Sequence, residues 1–307
     1  MNLLEKEQYV EYLKKLRFEY REKLNFKDDL TFGVEMEYCN APNNKILRIL
    51  NRLEENLDYV NYEKWHFHID GNFSYSKKGV IYGGEVTTPV FTNTPNSYKE
   101  IKKVCNALRK YHATIDDRVG LHCHVSKDVF NNDYDVLVKF LKLYIVFEHV
   151  IYKFGYNGLR EREALKTYAK YSRNILIDIL KNDDSDEFYR LINAINSVIK
   201  AKERGINFQN IPHGIGSTNT IEFRMCNGTI DPIVVQNEIN LFCSLLLSAK
   251  KDIDIEYLDY RIEDLKNKRT SLEMYRNINL DDAIIFSDII FDDDLDKDYF
   301  MKQYIKE

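Results

Sequence analysis

Thr31-Phe32-Gly33-Val34-Glu35-Met36-Glu37-Tyr38-Cys39-Asn40 is the stretch from which the rest of the chain can be read. At strand period successive side chains alternate between faces. Glu35, Glu37 and Cys39 then point one way, and Val34, Met36 and Tyr38 the other. The second set makes a core face. The first sets two carboxylates side by side, where mutual repulsion calls for a cation or a proton. Two glutamates on an exposed edge strand would need neither, so the weight falls on whether the device recurs.

It recurs three times. In Gly83-Gly84-Glu85-Val86-Thr87-Thr88-Pro89 the glutamate follows glycines that permit a bulge or close backbone approach. In Leu121-His122-Cys123-His124-Val125 both histidines share one face. In Ile221-Glu222-Phe223-Arg224-Met225-Cys226, Glu222 and Arg224 share a face while Phe223 and Met225 go to the core. Each piece has an ordinary reading, since His-x-His pairs occur satisfied in cores and Glu-x-Arg pairs occur across surface strands. Four such strands in one chain favour a single metal-bearing sheet face: Glu35, Glu37, Glu85, His122, His124, Glu222 and Arg224. Carboxylates with imidazole suit Mg²⁺ or Mn²⁺ holding a nucleotide phosphate, whereas thiolates would indicate zinc. An arginine beside them can neutralise charge on a transferring phosphoryl group. Cys39 and Cys226 fall by period on the glutamate faces, but no histidine base sits beside either in sequence, and free cysteine usually packs.

Around these strands the chain reads as mostly helical. Residues 3–24 carry apolar positions at mixed helical spacing and predict a surface helix. Asn43/Asn44 can cap a helix bearing Ile46, Ile49, Leu50, Leu53 and Leu57. Trp65–Asp70 predicts a second strand closed by an Asp70-Gly71-Asn72 turn, and Gly79–Phe91 an extended stretch. Ser97-Tyr98-Lys99-Glu100 has capping-box spacing before Ile101, Val104, Cys105 and Leu108. A long helix over 133–154 and further helices over 156–204 follow. Within them Gly158-Leu159-Arg160-Glu161-Arg162-Glu163, with Tyr168, Tyr171 and Arg173, is either a solvated helix face or a clamp on a carboxylate or phosphate. The loop His213-Gly214-Ile215-Gly216-Ser217 could turn backbone N–H groups of Gly214 and Gly216 toward phosphate. Helices are expected from Pro232 onward. Strands interleaved with helices, without a regular parallel rhythm, predict an α+β class with helices covering one sheet face.

With 307 residues and net charge −5, the composition suits a globular protein with a sizeable core and gives no support to nucleic-acid binding. The longest apolar run, Leu241–Ala249, falls far short of the ~18 residues a membrane span needs. Five cysteines without repeating spacing and a charged start, Met1-Asn2-Leu3-Leu4-Glu5, predict reduced thiols in a cytoplasmic protein.

The ordered set resembles the amidoligase family, within the glutamine-synthetase-like carboxylate–amine ligase superfamily that also holds the glutamate–cysteine ligases. The match runs through Phe32–Glu37, Asp70, Gly84–Pro89, Gly120–Val125 and Ile221–Asp231. The resemblance implies a curved antiparallel sheet with helices on its outer face, and ATP and Mg²⁺ (or Mn²⁺) on the inner one. It implies metal ligands at Glu35, Glu37, Glu85, His124 and Glu222, and phosphate contacts from Arg224 and from Arg162 or Arg173. Asp70 matches an aspartate facing or supporting substrate, and Glu37 or Asp70 could act as the base. One domain over 1–307 is expected, with a core at 31–231, a helical insertion at about 133–205 and C-terminal helices at about 232–307. The implied activity joins a carboxylate substrate to an amine substrate, peptide-like or amino-acid-like, through an acyl phosphate. A metal-dependent amide hydrolase and an inactive binding or regulatory protein are the alternatives. Two departures, Gly71-Asn72 where a serine is expected and no lysine in the loop before Glu222, bear on substrate contacts more than on metal binding.

Overall fold

The computed structural model describes residues 1–54, 64–199, 203–211, 218–267 and 272–306. Its elements run α1 (Leu3–Lys15), β1 (Phe32–Pro42), α2 (Asn43–Glu54), β2 (His66–His68), β3 (Tyr75–Lys77), β4 (Val80–Thr87), α3 (Pro95–Lys110) and β5 (Gly120–Ser126). After a 3₁₀ turn come α4 (Tyr134–Tyr156), α5 (Leu165–Tyr168), α6 (Arg173–Asn182), α7 (Phe188–Val198), β6 (Ile206–Asn207) and β7 (Thr220–Asn227). The chain continues with α8 (Pro232–Ser248), α9 (Ile255–Asn267), α10 (Leu272–Arg276), α11 (Leu280–Ile290) and α12 (Asp294–Tyr304).

The seven strands form one open antiparallel sheet in the order β2-β4-β1-β5-β7-β6, with β3 pairing β4 beside β2. This is the mixed α and β class expected from the sequence. β1 lies at the centre, and its alternation holds: Val34, Met36 and Tyr38 are at most 1 % exposed. That face packs on helices. Phe223 of β7 stacks on Phe242 of α8 with ring centroids 4.2 Å apart and meets Phe140 of α4 edge-on. Met36 of β1 touches Cys105 of α3. α4 and α8 are apolar on most faces because each is buried between the sheet and other helices. Among the described residues no helix is long and apolar enough to cross a membrane.

Several local expectations are corrected. The first helix stops at Lys15 rather than running to residue 24. Beyond it the backbone finds partners outside itself: Asn93 bonds the N–H of Leu24 and the carbonyls of Leu24 and Phe26, and Gln236 bonds both backbone groups of Arg21. α3 is capped by Thr94, whose hydroxyl accepts from the Ser97 N–H at 3.4 Å, with Pro95 in the first turn. Glu100, expected in a capping box, instead accepts from the buried Trp65 Nε1 at 2.9 Å. The second strand is only β2, and the stretch after Gly79 is one arm of a hairpin with the short β3. Leu57 lies outside the described residues.

Candidate active site

Strand register lays the polar residues out in rows across one face. Glu35 of β1 stands opposite Thr87 of β4 and His122 of β5, and Glu37 stands opposite Glu85. His124 faces Glu222 of β7, which faces Asn207 of β6. Directly opposed residues of an antiparallel pair share a face, so long side chains there meet. The four motif strands are therefore one surface.

The side chains converge. Glu35 Oε2 lies 3.0 Å from His122 Nδ1 and Glu35 Oε1 3.1 Å from His124 Nε2. Glu222 Oε1 lies 3.8 Å and 4.0 Å from the same two histidines and takes a close contact from Arg224 Nη1. Glu35, His124 and Glu222 each offer one donor atom within 4.8 Å of the others. Outer partners fix their orientation: Thr220 Oγ1 at 3.2 Å from His124 Nδ1, and the Asn207 amide donating to Glu222 Oε2 at 2.8 Å. Glu37 Oε2 accepts the Gly120 N–H at 2.5 Å, and Thr87 donates to Glu85 at 3.2 Å.

Electrostatics follow from this crowding. Burial by itself would raise the Glu35 carboxyl, but hydrogen bonds from His122 and His124 outweigh it and hold it far below the usual carboxylate range. Burial likewise opposes ionisation of Glu222, where the charges of Arg224 and the histidines prevail. At His124 burial disfavours the cation, yet Glu35 raises its pKa above the ordinary value. Glu35 and Glu222 are thus held toward the charged form by the neighbouring histidines and Arg224. A divalent cation could supply the same charge, and the donor set of two carboxylates and one imidazole fits Mg²⁺ or Mn²⁺.

Two cavities adjoin the cluster. The larger, about 550 Å³, is lined by Glu37, Glu85, His122, Arg162, Arg224 and, at its mouth, Asp70. The smaller, about 270 Å³, touches Glu35 and His124 from the other end, with Lys64, Thr218 and Thr220.

Arg162 is brought to the site by the segment before α5. It is 4 % exposed, its Nη1 is 3.8 Å from Glu37, and its Nη2 donates to the Arg224 carbonyl at 2.7 Å. Gly120 makes this possible, because a Cβ there would stand 2.3–2.5 Å from the guanidinium. Arg173 is not part of the site. It is turned into the helical layer, where Nε donates to the Ile145 carbonyl at 2.8 Å and Nη2 meets His149 Nδ1 at 3.0 Å. The start of α6 docks against α4 there, and the arginine adds bonds to carbonyls of that helix. Gly214 and Gly216 lie outside the described residues.

Cys226 is also corrected. A bulge sets Arg224 and Met225 of β7 against the one residue His122, so Cys226 pairs with Leu121 on the core face. Burial pushes its thiol pKa well up. Cys39 stays beside Asp116 and Arg118, its thiol pushed up to about 11, chiefly by burial. In both, burial disfavours the thiolate.

Sequence reading missed Thr220, Asn207, Asp117 and Arg118, all drawn to the site by tertiary contact. Gly120 carried a signal, as the residue that opens the His-x-His strand, and so did Thr220, two residues before Glu222 on β7.

The site is thus an acidic and imidazole face flanked by two buried guanidinium groups. The family model described as "Putative amidoligase enzyme" matches residues 28–246, and the chain belongs to that family. Membership points to an enzyme that forms amide bonds. No curated protein matches the chain.

Proposed function

We propose that this chain is an ATP-dependent ligase, using Mg²⁺ or Mn²⁺, that joins a carboxylate to an amine through an acyl phosphate. The supporting observation is the convergence of Glu35, His124 and Glu222 within 4.8 Å beside two buried arginines, in a chain of the amidoligase family. Those three residues would hold one cation, and Glu37 and Glu85, paired directly across β1 and β4, extend the ligand face. A bound cation supplies charge neutralisation for the nucleotide phosphates.

The remaining work falls to the chain's own groups. Arg224 now rests on Glu222 Oε1. Its guanidinium could turn from there to a phosphate oxygen, while Glu222 would help hold the cation. Arg162, fixed above Gly120, holds a second positive charge at the cavity floor, where negative charge develops as the phosphoryl group transfers. A carboxylate oxygen of the first substrate attacks the γ-phosphorus of ATP, the bond to ADP breaks, and an acyl phosphate forms. The second substrate's ammonium gives up a proton, to Glu37 or Asp70 on the lining of the same cavity, and the free amine attacks the acyl carbon. The carbon–oxygen bond to phosphate breaks, the nitrogen loses its second proton, and amide and phosphate leave. Positioning and charge complementarity are the means of catalysis.

Thermal unfolding tests this directly, with Mg²⁺ alone and with Mg²⁺ plus a non-hydrolysable ATP analogue, in wild type and Glu35→Ala. A ligand at 100 times its Kd adds about 2.7 kcal/mol. A nucleotide-dependent shift that vanishes in the variant supports the ligase. A metal shift without a nucleotide shift favours a hydrolase, and no shift from either ligand overturns both.

A further inference from the structure

Arg162 reaches the site from backbone that belongs to no helix or strand, the connection of residues 157–164 between α4 and α5. Among the described residues its guanidinium donates one hydrogen bond, to the Arg224 carbonyl at 2.7 Å, and its buried Nε has no partner. Where that charge stands is therefore set by what holds the connection.

Anchors come from two directions. Asn227, at the end of β7, donates its amide to the Tyr156 and Arg160 carbonyls at 3.1 and 2.9 Å. The others come from the C-terminal helices, beyond the residues that the family model matches. Lys306, just after α12, donates to Asn157 Oδ1 at 3.0 Å. On α10, Tyr275 stacks on Tyr171 with ring centroids 3.6 Å apart, and Arg276 Nε donates to Glu161 Oε2 at 3.2 Å. Glu161 is the residue directly before Arg162, and its side chain is 9 % exposed. The Arg276 side chain is 53 % exposed, so it can be replaced without opening the core.

We propose that Arg276 is a positioning residue for phosphoryl transfer: by holding Glu161 it fixes the connection that carries Arg162, and so ties the C-terminal helices to the chemistry. A half-exposed ion pair adds little to folding stability. Its effect on a reaction can be far larger, because a displacement of about 1 Å at a reacting group costs up to about 100-fold. That contrast separates positioning from plain structural support. The inference rests on the ligase reading for the phosphoryl group that Arg162 meets, but the link from Arg276 to Arg162 can fail on its own.

Calorimetric titration of the full chain with Mg²⁺·ADP, with and without aluminium fluoride as a mimic of the transferring phosphoryl group, separates the two. In the wild type aluminium fluoride should tighten binding, and Arg162→Ala should remove most of that gain. Arg276→Glu, which sets two carboxylates against each other, should forfeit about tenfold of it. The Kd of Mg²⁺·ADP alone and the thermal midpoint should stay near wild type in that variant. Arg276→Lys should keep the gain, and Glu161→Gln/Arg276→Glu should lose less than Arg276→Glu because the repulsion is gone. Added to Arg162→Ala, Arg276→Glu should change nothing further. An intact gain in Arg276→Glu, or a full further loss on top of Arg162→Ala, overturns the positioning role and leaves the ligase standing. A lowered thermal midpoint with Mg²⁺·ADP itself weakened in proportion shows structural support and overturns it too. If the wild type binds no Mg²⁺·ADP or gains nothing from aluminium fluoride, the ligase reading fails, and titration with inorganic phosphate then decides. Phosphate affinity that needs Arg162 and falls in Arg276→Glu keeps the positioning role, whereas affinity that is absent or indifferent to Arg276 overturns it.

Discussion

At Gly120 the absence of a side chain serves two neighbours. Its N–H holds Glu37, and its open Cα face seats the Arg162 guanidinium. Gly120→Ala pushes a methyl into that guanidinium, the flexible end of a long side chain, so the arginine and not the strand should yield. Its effect on kcat is therefore expected to resemble that of Arg162→Ala, a loss of about 100-fold if the arginine stabilises transition-state charge. The double variant should lose little more than either single, because the same interaction is removed twice. Steady-state kinetics on the three variants checks this, and additive losses would show that Gly120 acts without Arg162.

The helical elements are joined by a buried polar network that the site does not use. Glu148 of α4 accepts the Ser172 and Arg173 N–H groups at the start of α6 and the Tyr275 hydroxyl of α10. Next to it Arg173 donates to His149 Nδ1, so that ring nitrogen must accept and Nε2–H donates to Asp282 of α11 at 2.9 Å. Arg261 of α9 pairs with the same aspartate at 3.0 Å. Burial opposes ionisation of Asp282, but His149 and Arg261 win and its pKa lies below the ordinary value. A depressed acid contributes stability that is complete above its unfolded pKa, about 3.9, and is lost as pH falls toward the folded value. His149 is depressed too, chiefly by burial, and as a base whose unfolded form protonates first it also favours unfolding in acid. Asp282→Ala should lower stability at neutral pH by on the order of 3 kcal/mol and flatten the loss of stability below about pH 4. Urea unfolding at several pH values measures both. An unchanged acid slope would contradict it.

At the scale of the molecule, α4 is shared by β7 and most of the later helices. It packs Phe140 on the sheet, Glu148 and His149 on α6, α10 and α11, and Phe147 on Phe286. The family match ends at residue 246, so the helices beyond it could be taken for an appendage. The packing says otherwise, since Phe286, Phe300, Met301 and Tyr304 are nearly or fully buried. A chain ending after residue 251 would expose that surface of α4 and α8, at about 25 cal/mol for each Å² of apolar area. It is expected to aggregate or to lose its cooperative thermal transition, read by circular dichroism and light scattering. A soluble truncated chain with an intact transition would show that the sheet and α4 stand without α9–α12.

Alternation along β1, β4 and β5 was legible in the sequence because strand side chains repeat every two residues. Glu35, Glu37, Glu85, His122 and His124 therefore reach one face whatever lies beyond the strands. The same rule failed at Cys226, where one inserted residue shifts parity without leaving a mark in the residue types. It could not decide between Arg162 and Arg173 either. The sequence reads both as one helical stretch, but Arg162 lies on the connection between α4 and α5 and Arg173 opens α6, and which one finds the site depends on how these pieces pack. Asp117 and Asn207 were silent for the same reason: they sit on a loop and on a two-residue strand, where position comes from long-range contacts, whereas Thr220 shares the alternation of β7 two residues before Glu222. Local geometry thus fixed the chemistry of the face. Tertiary packing alone decided which cations stand beside it.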